Sequence, residues 1–455
     1  VKKIIIIILI SSSFSFAKES SISISLNNAI SMAMKNSNSL AGLRTTEKVS
    51  RQLVKESWRN YIPDISLSYG NNQSVSIMEN DTRNQSLNLS MSYNLYTNGK
   101  TITQTKLVKL ESLLSSTNYL LERNKIHLTV TSKFYGIMKA KEEIKINKKL
   151  LESLFFQKRI IVAQKRLGMA TELQRVQVEA RIKEAQYKII AAKNNLKTQE
   201  KDLQVLCGLN YKISIKIKGT MPKRIVYILP KKITLISIAL KNRPEVKKSQ
   251  FTLLKAKQQL RLATYYYLPE ITISGSCGLS GPKLPGEITW SLGLTLSTNF
   301  FGNTISGGQT FGESGGGNTR SSNTSVNGSI MDKHGFKSAI LQAKGAYSQA
   351  LYESKNMKNA IALEVTQAWN SLKETEKMVQ LALDNQSMVT KQVMIEKAKA
   401  RLGQITKKDL FESLIQLSQA ELRYNSSRID QLIAIAKLEN ALGYKIGSLM
   451  KKEVK

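Results

Sequence analysis

Asp409 and Glu412 stand three residues apart, which on a helix puts both carboxylates on one face. Such a pair can draw cations, although two solvated surface acids would look the same in isolation. Other chemistry-bearing residues are sparse. His127 and His334 are the only histidines, H-E-x-x-H is absent, and no Cys/His cluster has metal-ligand spacing. The stretch TNGKT, Thr97 to Thr101, ends like a phosphate-binding loop, but position 94 is Asn where the first glycine belongs. Cys207 and Cys277 read as two small buried side chains. A disulfide between them suits an oxidising compartment but nothing in the sequence supports one. No catalytic residue, metal site or cofactor is expected, and the chain does not read as an enzyme.

The 455 residues carry a formal charge of +35. Lysines are spread along every helical segment rather than gathered in one patch, so solvated helix faces explain the charge better than nucleic-acid binding. The N-terminus, VKKIIIIILISSSFSFAKES, has Lys2 and Lys3 before the apolar run Ile4 to Ile10. Ser15-Phe16-Ala17 follows as a small-x-small cleavage site. Residues 1–17 are therefore expected to be a secretory signal peptide, too short to anchor in a bilayer. No cysteine near that site offers a lipid anchor. No other run approaches the ~20 apolar residues of a membrane helix. Insertion in a membrane would require β-structure.

The chain reads as two copies of one unit. Ala33-Met34-Lys35-Asn36 recurs as Ala239-Leu240-Lys241-Asn242, and Tyr61-Ile62-Pro63-Asp64-Ile65 as Tyr267-Leu268-Pro269-Glu270-Ile271, both at an offset of 206. Further on, RLGMAT at Arg166 to Thr171 matches RLGQIT at Arg401 to Thr406, now at an offset of 235, which also superposes Gly208 on Gly443. The extra 29 residues of the second copy fall within 302–335, a Gly/Ser/Asn-rich stretch expected to be a flexible insertion. The first repeat spans 18–208, with helices at 27–61, strands at 64–97, a long helix at 100–165 and a return helix at 171–207. A linker covers 209–232. The second repeat spans 233–443, with helices at 233–267, strands at 270–299, the insertion, a long helix at 336–399 and a return helix at 406–442. A basic tail, 444–455, closes the chain. Prolines respect this plan: Pro63 and Pro269 mark helix-to-strand junctions, and 64–221 and 286–455 contain none.

Two stretches alternate strictly. In SLNLSMSYNLY, Leu87, Leu89, Met91, Tyr93 and Leu95 interleave with Ser and Asn. In ITWSLGLTLS, Ile288, Trp290, Leu292, Leu294 and Leu296 interleave with Thr, Ser and Gly. With Ile65 to Tyr69 and Ile271 to Ser274 this predicts four strands in two hairpins. Roughly nine to eleven residues suit a tilted membrane strand, although a soluble sheet packed on helices also alternates. The helices break the tie. Leu107, Leu110, Leu114, Thr117, Leu121, Asn124, Leu128, Thr131, Tyr135 and Met138 step by threes and fours, a heptad seam, and Ala339, Ala343, Ala346 and Ala350 form a small-residue seam in the second copy. A helix over 100–165 is on the order of 95 Å long at 1.5 Å per residue. A compact soluble domain has no use for that length; a periplasm-spanning object does. Four strands cannot close a membrane barrel, so several chains must pool them, and three copies give twelve.

The duplicated A-x-K-N, the Y-[IL]-P-[DE]-I junctions and the paired RLG-x-x-T turns resemble the TolC-type outer-membrane efflux proteins over nearly the whole mature chain. That resemblance implies a mixed α and β membrane protein: a homotrimer whose twelve-stranded β-barrel in outer-membrane lipid continues into a periplasmic α-helical barrel. It implies an exit duct for a tripartite efflux pump or type I secretion system, working with a periplasmic adaptor and an inner-membrane transporter. The apolar strand residues Leu87, Leu89, Met91, Tyr93, Leu95, Trp290, Leu292 and Leu294 then face lipid. Arg166, Leu167, Gly168 and Thr171, with Arg401, Leu402, Gly403 and Thr406, then form adaptor-docking turns, besides ending one helix and capping the next. Asp409 and Glu412 match positions that ring the closed entrance, and Gln174 stands where some relatives carry a gating acid. The competing readings are an exported coiled-coil adaptor or scaffold without a pore, and a basic coiled coil that binds polyanions.

Overall fold

The computed structural model describes residues 21–75, 82–210, 213–219, 227, 230–265, 268–300, 303–314, 317, 319–330 and 335–449. The expected signal segment 1–17, Pro222, Tyr267 and the end of the basic tail lie outside the described residues. The first repeat runs β1 (Ser21–Ile24), α1 (Leu26–Asn36), α2 (Asn38–Glu56), β2 (Asp64–Ser74), β3 (Thr82–Tyr96), α3 (Lys100–Arg166) and α4 (Glu172–Leu206). After β4 (Ser214–Ile217) the second runs α5 (Lys232–Asn242), α6 (Pro244–Thr264), β5 (Glu270–Gly281), β6 (Glu287–Phe300), β7 (Asn303–Ser314), β8 (Thr319–Ser329), α7 (Phe336–Arg401) and α8 (Lys407–Ala441). The repeat is visible in the element lengths: α3 and α7 have 67 and 66 residues, and α4 and α8 have 35 each. No helix among the described residues is long and apolar enough to cross a membrane.

The chain divides into two units. One comprises residues 42–121 and 243–361 and contains the large sheet; the other comprises the remaining segments and contains both helix-to-helix turns. In the sheet-bearing unit, six strands pair in the order β2-β3-β5-β6-β7-β8, each antiparallel to its neighbour. Register fixes the faces. Leu67 opposes Leu89, Leu89 opposes Cys277, and Cys277 opposes Trp290, so one apolar face runs unbroken across the first four strands. Leu87, Leu89, Met91, Trp290, Leu292 and Leu294 are exposed on the single chain and Tyr93 is half-buried. Leu95 departs from the expected alternation. The pairing register shifts between Asn94 and Tyr96, so Tyr96 opposes Ile271 and Leu95 is left out of the ladder as a bulge.

The stretch 302–335 corrects the expected strand count. In place of a flexible insertion, it supplies β7 and β8, a third hairpin registered on β6 from Trp290↔Glu313 to Phe300↔Asn303. Its side chains carry little apolar signal; the ladder of backbone hydrogen bonds against β6 makes it a strand pair. Cys277 also differs from expectation. It is exposed on β5, while Cys207 is buried, and both thiols are free. Burial pushes the Cys207 thiol up to about 11.

TNGKT forms the strand-to-helix turn before α3. Asn98 and Gly99 both adopt positive φ, and Asn98 Nδ2 donates to the Pro269 carbonyl at the helix-to-strand junction of the other repeat. Lys100 pairs with Glu270 there at 2.8 Å. The heptad seam of α3 faces inward: Leu114, Thr117, Thr131 and Tyr135 are buried and its other members half-buried. The alanine seam of α7 does not. Ala350 is buried, but Ala339 and Ala346 are exposed on the single chain.

Candidate functional site

The two RLG turns are built alike. At the first, Met169 N donates to Gln164 O (2.8 Å) and Gly168 N to Lys165 O (3.0 Å); at the second, Gln404 N donates to Lys399 O (3.0 Å) and Gly403 N to Ala400 O (3.3 Å). This is the Schellman closure, whose C′ residue must be left-handed. Gly168 and Gly403 both have φ of 72°. A Cβ on either would meet open space, so glycine is required here by backbone conformation and not by crowding. The leucines beside them are displayed, Leu167 at 72% and Leu402 at 74% exposure.

Each turn feeds directly into a capped helix. Thr171 Oγ1 accepts from Gln174 N and Gln174 Oε1 from Thr171 N (3.3 and 3.1 Å); Thr406 Oγ1 accepts from Asp409 N and Asp409 Oδ2 from Thr406 N (3.3 and 3.2 Å). Both are reciprocal capping boxes. Gln174 and Asp409 therefore hold the same position in their repeats, one neutral and one charged. Thr171→Ala or Thr406→Ala should each cost about 1 kcal/mol, read as a lowered denaturant midpoint with an unchanged slope.

Asp409 is exposed beside the second turn, and its carboxylate also accepts from Thr406 Oγ1 at 2.6 Å. Glu412, one helical turn on, is half-buried. Its Oε1 lies 3.4 Å from Nη2 of Arg181 on α4, an ion pair across 231 residues of sequence. No sequence pattern announces this partner, because nothing local links the two positions. Phe411, between the acids, is buried and packs at 6.1 Å from Phe156 of α3. Leu154, Ile161, Val178, Ile182 and Ala185 form the apolar cluster beneath, with Ile415 of α8 packed against it. These contacts fix α8 on the α3–α4 hairpin and thereby set where Glu412 sits.

Charge on the first hairpin is tightly paired. Glu172 accepts from Arg175 and Lys165, which hold its carboxyl down at about 2. Glu179 is also lowered, first by its hydrogen bond from Lys158 and then by Arg175. Both acids are ionised at neutral pH but compensated. A cavity of about 250 Å³ lies between this hairpin and α8, lined among others by Gln157, Gln164, Gln174, Gln177, Arg181 and Thr406. Gln157 is buried there and its Oε1 has no protein partner. Arg166 and Arg401 close α3 and α7, where a cation complements the helix C-terminus.

The family model described as "Outer membrane efflux protein" matches residues 29–209 and 235–444, one segment in each repeat. The sequence matches no curated protein. The fold is similar to that of CusC (TM-score 0.74, 14% identity, 92% of each chain covered). It is similar also to the CmeC outer membrane channel of Campylobacter jejuni (TM-score 0.72, 17% identity, 96% of this chain and 92% of that one). The open state of the MtrE outer membrane channel of Neisseria gonorrhoeae gives a TM-score of 0.73 at 16% identity, over 92% of this chain and 89% of that one. At such identities the likeness is one of fold.

Proposed function

The chain belongs to the outer membrane efflux protein family and is an outer-membrane protein, and from that premise we propose that it is the trimeric exit duct of a tripartite efflux pump or type I secretion system. A passive conduit fits the chemistry of the chain. The observation that carries this reading is the exposed apolar face spanning β2, β3, β5 and β6, set against a face of Ser, Thr, Asn and Gly. Hydrocarbon covers the first and channel water wets the second. Open strand edges in lipid would leave backbone N–H and C=O groups unpaired, which favours closure by further copies. The exposed Ala339 and Ala346 of α7 give a neighbouring helix room to approach.

The adaptor meets the two RLG turns in this reading. Arg166, Leu167, Gly168 and Thr171, and Arg401, Leu402, Gly403 and Thr406, present an exposed leucine and accessible glycine backbone at each. Asp409 and Glu412 line the entrance opened by that adaptor, with Gln174 beside them. An inner-membrane transporter supplies the energy.

Purified in detergent, the protein should sediment as a trimer and open ion-conducting pores in planar bilayers. A species that stays dispersed without detergent and conducts nothing would instead identify a periplasmic coiled-coil scaffold.

A further inference from the structure

We propose that the third hairpin carries the edge by which one copy of this chain joins the next, so that β8, not β6, pairs with β2 of the neighbouring copy. This rests on the trimeric reading above and gives the shared wall six strands per copy. Three copies then close eighteen strands in place of the twelve that two hairpins per chain would supply.

The argument is one of edges. A strand has two hydrogen-bonding sides. β6 uses one on β5 and the other on β7, the latter through the whole register from Trp290↔Glu313 to Phe300↔Asn303. From Trp290 to Ser297 both sides of β6 are taken, and only the short end Glu287 to Thr289 lies beyond the β7 register. The free edges of the sheet belong to β2 and β8, and their residues are exposed throughout except for Gly70. Direction agrees. Every adjacent pair in the sheet is antiparallel, so β2 and β8 run opposite ways, and β8 of one copy meets β2 of the next in antiparallel sense. An even ring of this kind has no edge left in lipid.

The outward face of the hairpin is compatible with a place in that wall. The row Leu67–Leu89–Cys277–Trp290 continues into Glu313 and Arg320, which pair with each other at 3.3 Å. Gln309, the polar side chain at mid-strand, donates to Ser322 Oγ at 2.9 Å and accepts from Thr324 Oγ1. Polar groups already bonded to one another cost far less to take from water than bare ones. Ile305, Phe311 and Val326 are exposed on the same face.

Cysteine pairs decide between the two edges. On a Cys277→Ser background, Ser66→Cys in β2 is combined with Ser321→Cys, Asn323→Cys or Ser325→Cys in β8, or with Ser291→Cys or Thr295→Cys in β6. All of these positions lie on the polar face. Outer membranes are treated with an added oxidant and run on non-reducing gels. At least one β2–β8 pair should give covalent dimers and trimers, and the β2–β6 pairs none. Deleting residues 303–329 should move the crosslinks to β2–β6, which shows those positions to be competent. Crosslinks from β2 to β6 in the full chain overturn the proposal, as do β2–β8 pairs that stay monomeric on the gel while the protein sediments as a trimer. Sedimentation as a monomer overturns the trimeric reading and this proposal with it.

Discussion

On the proposed reading of Asp409 and Glu412 as entrance acids of a trimeric pore, Asp409→Asn and Glu412→Gln should lower its cation preference several-fold, read as a shift of the reversal potential across a salt gradient. These isosteric changes remove charge while keeping an acceptor oxygen for the Thr406 capping box, which Asp409→Ala would also break. A monovalent cation passing ~8 Å from one carboxylate in water gains about 0.5 kcal/mol. At 0.15 M salt the Debye length is about that distance, so each term is damped but not abolished. Six carboxylates in a trimer then contribute on the order of 1 kcal/mol, enough for a several-fold effect. Arg181 provides the control of opposite sign. It sits 3.4 Å from Glu412 and offsets its charge, so Arg181→Ala should raise cation preference. An unchanged reversal potential in both variants would remove Asp409 and Glu412 from the conduction path.

The second large effect concerns Glu439, near the end of α8, whose side chain is fully buried. Its two oxygens take different donors: Oε2 accepts from Gly447 N and Oε1 from Leu449 N, each at 2.6 Å. The carboxylate thus ties the segment after α8 back onto the helix. Gln204 occupies the same place in the first repeat, also buried, and donates to the Asn210 carbonyl. An amide at 439 could satisfy only one of the two N–H groups and would turn its own NH2 toward the other. Glu439→Gln should therefore destabilise by about 1–3 kcal/mol, the cost of a stranded buried donor, and free the segment after α8 to faster hydrogen exchange.

Its pH dependence has a definite sign. Burial raises the Glu439 carboxyl above the usual carboxylate range, against the lowering effect of the backbone N–H donors. A folded-state value above the unfolded one means the folded chain binds the proton more tightly. The associated stability is fully present below the unfolded value and is lost as pH rises through the folded one. The wild-type chain should show this loss and the Gln variant should not, in denaturation series run upward from pH 4. Equal slopes in the two proteins would show that Glu439 is not the group responsible.

Much of the architecture was legible because it is written locally. The RLG-x-x-T turns specify a left-handed glycine followed by a threonine cap, and both appear as written, down to the equal φ of Gly168 and Gly403. The strict alternation around Leu89 and Leu292 marks a sheet with two unlike faces. Where the alternation failed, at Leu95, the cause was a bulge that no side-chain pattern announces. The third hairpin was the larger miss. A signal was present: two segments of near-equal length, Asn303–Ser314 and Thr319–Ser329, flank a glycine run. Hydropathy could not reveal it, since Gly, Ser, Thr and Asn dominate both strands.

The sequence by itself determined the order of the main helices and of the first two hairpins, the helix ends at the RLG turns and the apolar side of the first four strands. Each follows from contacts within a turn or a few residues, where side-chain type and backbone preference act directly. Only the tertiary structure decided that β6 is not an edge, that Arg181 answers Glu412, that Cys277 is exposed and that Glu439 is buried. Those outcomes depend on which distant segment arrives beside a residue, and backbone ladders and ion pairs of that kind leave no periodic trace in the chain.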